Sequence, residues 1–117
     1  PSKKLLLSRT EDGGQSWSAV EVLDVFNPSS PVAALGLGEG RILLAVNDLE
    51  EMPEILRLVV SDNEGRDWRE VTRFEGEGAL RYPMLRRLSS GEIVLSYSKG
   101  TKQGVVVHLF NQAWVEA

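Results

Sequence analysis

The chain has 117 residues, enough for one domain or a part of one. Its 13 Lys and Arg are outnumbered by 17 Asp and Glu, for a net charge of −4, and no basic run exceeds two residues, which argues against a nucleic-acid partner. With no cysteine and a single histidine, disulfides, thiolate metal sites and His-rich metal sites are excluded, and no apolar run approaches the roughly 20 residues of a membrane-spanning helix. We therefore expect no cofactor, no metal and no membrane partner.

The periodicity is that of strands throughout. In chain order, residues 4–8 form a short apolar run ending in turn chemistry, and residues 19–23 alternate. Residues 31–35 and 41–46 are separated by Gly36, Gly38 and Gly40, which read as hairpin punctuation. Further strands are predicted over 55–60, 69–74, 82–88, 92–98 and 105–110, with Ser90-Gly91 as another tight turn. That makes nine. Residues 48–54 are acidic and contain Pro53, which fits one helical turn or a long loop, and no segment holds helical spacing for long. Regular short strands with Gly-rich turns imply a sandwich, a barrel or a propeller.

An internal repeat narrows that choice. Thr10-x-Asp12-x-Gly14-x-x-Trp17 and Ser61-x-Asn63-x-Gly65-x-x-Trp68 share one frame, 51 positions apart. Each follows an apolar strand and precedes an alternating one. The hydroxyl and the Asp or Asn side chain can bond to nearby backbone N–H groups and close a tight corner. The glycine supplies a positive φ. The tryptophan is expected to fold back under the turn and bury a large area. Such a unit is a structural device, not a reaction centre.

These two segments resemble Asp-box (BNR) repeats, a hallmark of the sialidase (neuraminidase) superfamily of six-bladed β-propellers. Asn27-Pro28-Ser29-Ser30 and Gly40 to Asn47 are similar to the later blades of such proteins. Tyr82-Pro83-Met84-Leu85 and Ser90 to Tyr97 are similar to the final blade, and Asn111-Gln112-Ala113-Trp114 to the segment where these domains often end. The resemblance implies an all-β chain of about two blades, with residues 3–24 the outer half of one blade, 31–74 a full blade and 81–110 three strands of the last. Nine strands do not close a six-bladed ring within one chain. The chain begins at Pro1 and reads as a processed product or a piece of something longer. The resemblance further implies that the missing blade faces are supplied by the remainder of its own propeller or by further copies of itself.

Sialidases clamp the sugar carboxylate with three arginines, attack the anomeric carbon with a glutamate-activated tyrosine, and use an aspartate as acid/base. By that resemblance Tyr82 stands at the nucleophile's place, in a Tyr-x-x-Leu context, and a glycan is the implied ligand. Arg57, Arg81, Asn27 and Asn47 are the candidate substrate contacts. Adjacent strand residues point to opposite faces, so Arg81 and Tyr82 are expected to diverge. Pro53 occupies the place of one clamp arginine and has no donor to offer. Ser29 and Ala33 also depart from the related Asn-Pro-Asn-Ser-x-x-Asp text. Arg86 and Arg87 read as a solvated face, Asp48, Glu50 and Glu51 as loop acids, Glu75-Gly76-Glu77-Gly78 as neither a calcium nor a phosphate loop, and His108 as a packed or edge histidine.

Three functions fit this reading. The chain is a C-terminal portion of a sialidase-like propeller, inactive alone; a non-catalytic Asp-box module that holds a glycan or protein; or a small free-standing protein that assembles through its blade faces.

Overall fold

The structure, a computed structural model, describes residues 3–27, 30–47, 55–76, 79–100 and 104–117. Nine antiparallel strands form three sheets. β1 (Lys4–Leu7) pairs with β2 (Glu21–Phe26) in the first sheet. β3 (Ala33–Gly38), β4 (Arg41–Asn47), β5 (Leu56–Ser61) and β6 (Arg69–Phe74) follow in order in the second. β7 (Leu80–Arg87), β8 (Ile93–Lys99) and β9 (Val105–Phe110) form the third. Among the described residues these strands close no ring.

The second sheet lies between the other two, and its sequence shows why. β4 and β5 are almost continuously apolar, the pattern of strands buried on both faces. Leu44, Val46 and Val59 pack with Leu23 and Val25 of the first sheet. Leu43, Ala45, Leu56, Leu58 and Val60, on the opposite face, pack with Leu80, Leu85, Ile93, Leu95 and Tyr97 of the third. The first and third sheets alternate instead, with one face inward and one outward.

Two elements depart from the sequence reading. The β3–β4 hairpin turns at Glu39 and Gly40, with φ of 57° and 78°, a left-handed pair suited to the twist of a tight hairpin. Gly36 and Gly38 lie inside β3, where the register shifts between them. Beyond β9, α1 (Gln112–Glu116) is a helix that strand periodicity did not reveal. Asn111 caps it, its Oδ1 accepting from Trp114 N at 2.8 Å. Val115 is fully buried in the larger core, and Arg69 donates to the Val115 carbonyl while Arg41 pairs with Glu116.

Candidate functional site

The two box corners are wired alike. Thr10 Oγ1 accepts from Gly14 N at 2.9 Å and donates to Asp12 Oδ1. Ser61 Oγ accepts from Gly65 N at 2.8 Å and donates to Asn63 Oδ1. Asp12 Oδ1 accepts from Ser16 N, and Asn63 Oδ1 from Asp67 N, each at 2.9 Å. Each indole N–H donates to the glycine carbonyl three residues earlier, Trp17 to Gly14 and Trp68 to Gly65. Hydrogen bonds from the Ser16 hydroxyl and amide, with help from Thr10, hold the Asp12 carboxyl down at about 2.

The corners differ in cover. Trp68 packs against the first sheet's core, whereas Trp17 is 61% exposed. The expected burial of both tryptophans is thus corrected for Trp17: its corner joins β1 to β2, and among the described residues no other sheet lies over it.

The candidate site residues lie toward the other end of the strands. Tyr82 sits in β7 with φ 56°, a left-handed backbone that costs a bulky residue energy. The β7–β8 register shifts between Arg81 and Met84. This bulge overrides the strand alternation that would send Arg81 and Tyr82 to opposite faces. Both line one recess of about 500 Å³, with Ala79, Ser98 and Gly100, and Tyr82 is 67% exposed. Ser98 Oγ donates to the Arg81 carbonyl at 3.1 Å, and Gly100 N to the Ala79 carbonyl at 2.8 Å, fixing the recess floor.

The other candidates are placed differently. Arg57 stands between Leu56 and Leu58, whose side chains face the third sheet, so its own side chain leaves the opposite face. There its Nε lies 2.7 Å from Glu70 Oε1. Hydrogen bonds from Arg73, then from Arg57, keep the Glu70 carboxyl below its usual range. Arg57 and Tyr82 therefore do not share a recess. Asn47 is fully buried at the end of β4, where its Nδ2 donates to the carbonyls of Ile55 at 3.1 Å and Leu80 at 2.9 Å. It ties the second sheet to the first residue of β7, two positions before Tyr82. Asn27 Oδ1 accepts from Ser30 N at 3.2 Å. Pro53, Asp48, Glu50, Glu51, Ser29, Glu77 and Gly78 lie outside the described residues. Arg87 is exposed and donates to Gln112 Oε1, while Arg86 is exposed on β7.

A second group emerges only from the fold. His108 stacks on Phe74 at 4.3 Å between centroids, and the Tyr97 hydroxyl lies 2.9 Å from His108 Nε2. Burial pushes the His108 pKa down and the Tyr97 pKa up. Phe74, His108, Phe110, Asn111 and Trp114 line a cleft of about 360 Å³. The residues come from β6, β9, α1 and its cap Asn111, so no local motif announces it. Among the described residues no group of His, Asp and Glu is arranged to hold a metal ion.

Stacked antiparallel sheets, two of which carry the repeated hydroxyl–Asx–Gly–Trp corner between their last two strands, define an all-β protein of the propeller-blade class. A family model for the BNR repeat-like domain matches residues 1–101, and the chain belongs to that family. A search of curated proteins finds no match.

Proposed function

We propose that this chain is part of the wall of a sialidase-like, glycan-active propeller and performs no chemistry alone. The parent reaction would be exo-type hydrolysis of a sialic-acid-like sugar. The observation that supports this is the left-handed backbone of Tyr82, which a bulge holds beside Arg81 at the mouth of an open recess. Strain of this kind persists where a side chain must be aimed. The phenol would serve as nucleophile toward an anionic sugar, and the Arg81 guanidinium would attract its carboxylate. The lining residues described include no carboxylate, so within them nothing takes the tyrosine proton or protonates a leaving group.

A fluorogenic sialoside tests the proposal. The isolated chain is expected to give no turnover above buffer. Robust turnover, lost in Tyr82→Phe, would contradict it.

A second reading, a non-catalytic Asp-box module that holds a glycan or protein, is favoured by Arg57. Its pairing with Glu70 on the far face of the second sheet leaves Arg81 as the one cation lining the Tyr82 recess among the described residues. Titration with free sialic acid, followed by amide chemical shifts, separates the readings. Shifts confined to residues around Tyr82 support the wall of a catalytic site, and shifts confined elsewhere support the binding module.

A further inference from the structure

The tips of the two corners share a backbone but not their surroundings. Gly13 and Glu64 stand at matching places, 51 positions apart, with φ of 75° and 63°. Glu64 N donates to the Gly40 carbonyl of the β3–β4 hairpin at 2.7 Å. Gly13 N meets no acceptor among the described residues. A Cβ built on Gly13 would meet nothing within 4 Å, so this amide lies in the open. The residue before it is Asp12, and no other Asp or Asn of the chain is followed by glycine. An aspartyl carboxyl and the next amide nitrogen are the two reactants of a five-membered imide. Glycine, without a side chain, crowds that ring least.

The rest of the corner opposes the reaction. Asp12 Oδ1 accepts from Thr10 Oγ1 at 2.9 Å, Gln15 N at 3.0 Å and Ser16 N at 2.9 Å, and Oδ2 accepts from Ser16 Oγ. These bonds tie the carboxyl to groups other than Gly13 N. They also keep it ionised down to about pH 2, and an ionised oxygen is a poor leaving group. At the second corner the nitrogen is already committed to Gly40, and Glu64 carries a side chain.

We propose that Asp12–Gly13 is a site of spontaneous isoaspartate formation, kept dormant by the hydrogen bonds of its own corner and released when that corner opens. Once the freed carboxyl takes a proton from solvent, Gly13 N attacks Asp12 Cγ. The N–Cγ bond forms and a Cγ–O bond breaks. The amide proton and the carboxyl OH leave together as water. Water then adds back to the ring. Opening at Cγ restores Asp12. Opening at the main-chain carbonyl carbon breaks its bond to Gly13 N, so the chain runs through the former side chain and the old carbonyl becomes a free carboxylate. One water is lost and one regained, with no oxidant or reductant. The extra backbone methylene moves the acceptor away from Gln15 and Ser16, so a rearranged corner does not reclose. The proposal draws on the corner alone and is independent of the glycan reading.

Peptide mapping of the whole chain, aged at neutral pH in oxygen-18 water, tests it. An isoaspartyl peptide carries one heavy oxygen and separates from the Asp12 peptide by chromatography. Four samples are compared: the folded wild type, the wild type in guanidinium chloride, and folded Ser16→Ala and Thr10→Val, with folding checked by circular dichroism. The folded wild type is expected to rearrange slowest and the denatured chain fastest. Each variant is expected to exceed the folded wild type by about tenfold, the factor for one lost hydrogen bond to a charged group. Either variant serves if the other fails to fold. The rearranged fraction is expected to lose amide protection at Gly14 and Ser16. Absence of isoaspartate at Asp12 in the denatured chain would overturn the site. Equal rates in folded and denatured wild type, or folded variants no faster than the wild type, would overturn the guarding role of the corner.

Discussion

Trp17 and Trp68 occupy equivalent places in two identically wired corners, yet one indole stands 61% exposed and the other is packed beneath the neighbouring sheet. The difference is one of position in the stack, not of local chemistry. It separates what a box contributes to its own turn from what it contributes to packing between sheets.

Removing each indole measures the two contributions. In dilute protein, Trp17→Ala loses chiefly one hydrogen bond, a cost of about 1 kcal/mol. Trp68→Ala loses the same bond and leaves a void against Leu23 and Val25, a cost of about 3 kcal/mol. Urea unfolding of the two variants checks this, and equal losses would contradict it.

The corners also differ in titration. The folded-state pKa of Asp12 is depressed from 3.8 to about 2. Its contribution is therefore present above pH 3.8 and is lost as pH falls toward 2. Asn63 makes the matching acceptor bonds without ionising. Asp12→Asn is expected to keep the first corner closed and remove that part of its acid sensitivity. Amide shifts of Gly14 and Ser16 followed from neutral to acid pH report it. They should move in the wild type and stay still in Asp12→Asn.

Asn47 links two sheets through one buried amide. Asn47→Ala strips the Ile55 and Leu80 carbonyls of that donor in a site without water access, at a cost of about 1–3 kcal/mol. Because Leu80 begins the strand that carries Tyr82, amide exchange should quicken at residues 80–85 more than within β1 and β2. Uniform quickening would contradict the tether.

His108 adds a pH dependence near neutrality. Burial lowers its pKa in the folded state below the ordinary 6.5. The unfolded chain then binds the proton first, so stability is full above pH 6.5 and declines as pH falls through the folded value. His108→Phe keeps a ring over Phe74 and cannot protonate. Thermal midpoints measured from neutral to mildly acid pH should fall less steeply in His108→Phe than in the wild type.

Much of the fold could be read from alternation. The apolar runs at 41–46 and 55–60 mark the strands buried on both faces, where the signal is an unbroken apolar run bounded by turn residues rather than alternation. The limits of β3 slid by two or three residues because glycines that look like punctuation, Gly36 and Gly38, sit within the strand. α1 escaped because five residues are too few to show a helical period, although Asn111 offered a cap. At the site, the pairing of Arg81 with Tyr82 could not be read, since a bulge reverses strand alternation and leaves no residue signature. Arg57 misled for a related reason: its place along the chain is near the site, but its face of the strand is not. The aromatic cleft assembles from strands more than 30 positions apart, as Phe74 and His108 show.

Amide hydrogen exchange at the two corners tests most directly whether they are matching units of a stack, the second covered by the first sheet. In dilute protein, Gly14, Ser16, Gly65 and Asp67 should all exchange more slowly than in an unfolded chain, with Gly65 and Asp67 slower by a wide margin. Unfolded-chain rates at all four amides, or equal protection at both corners, would contradict the account.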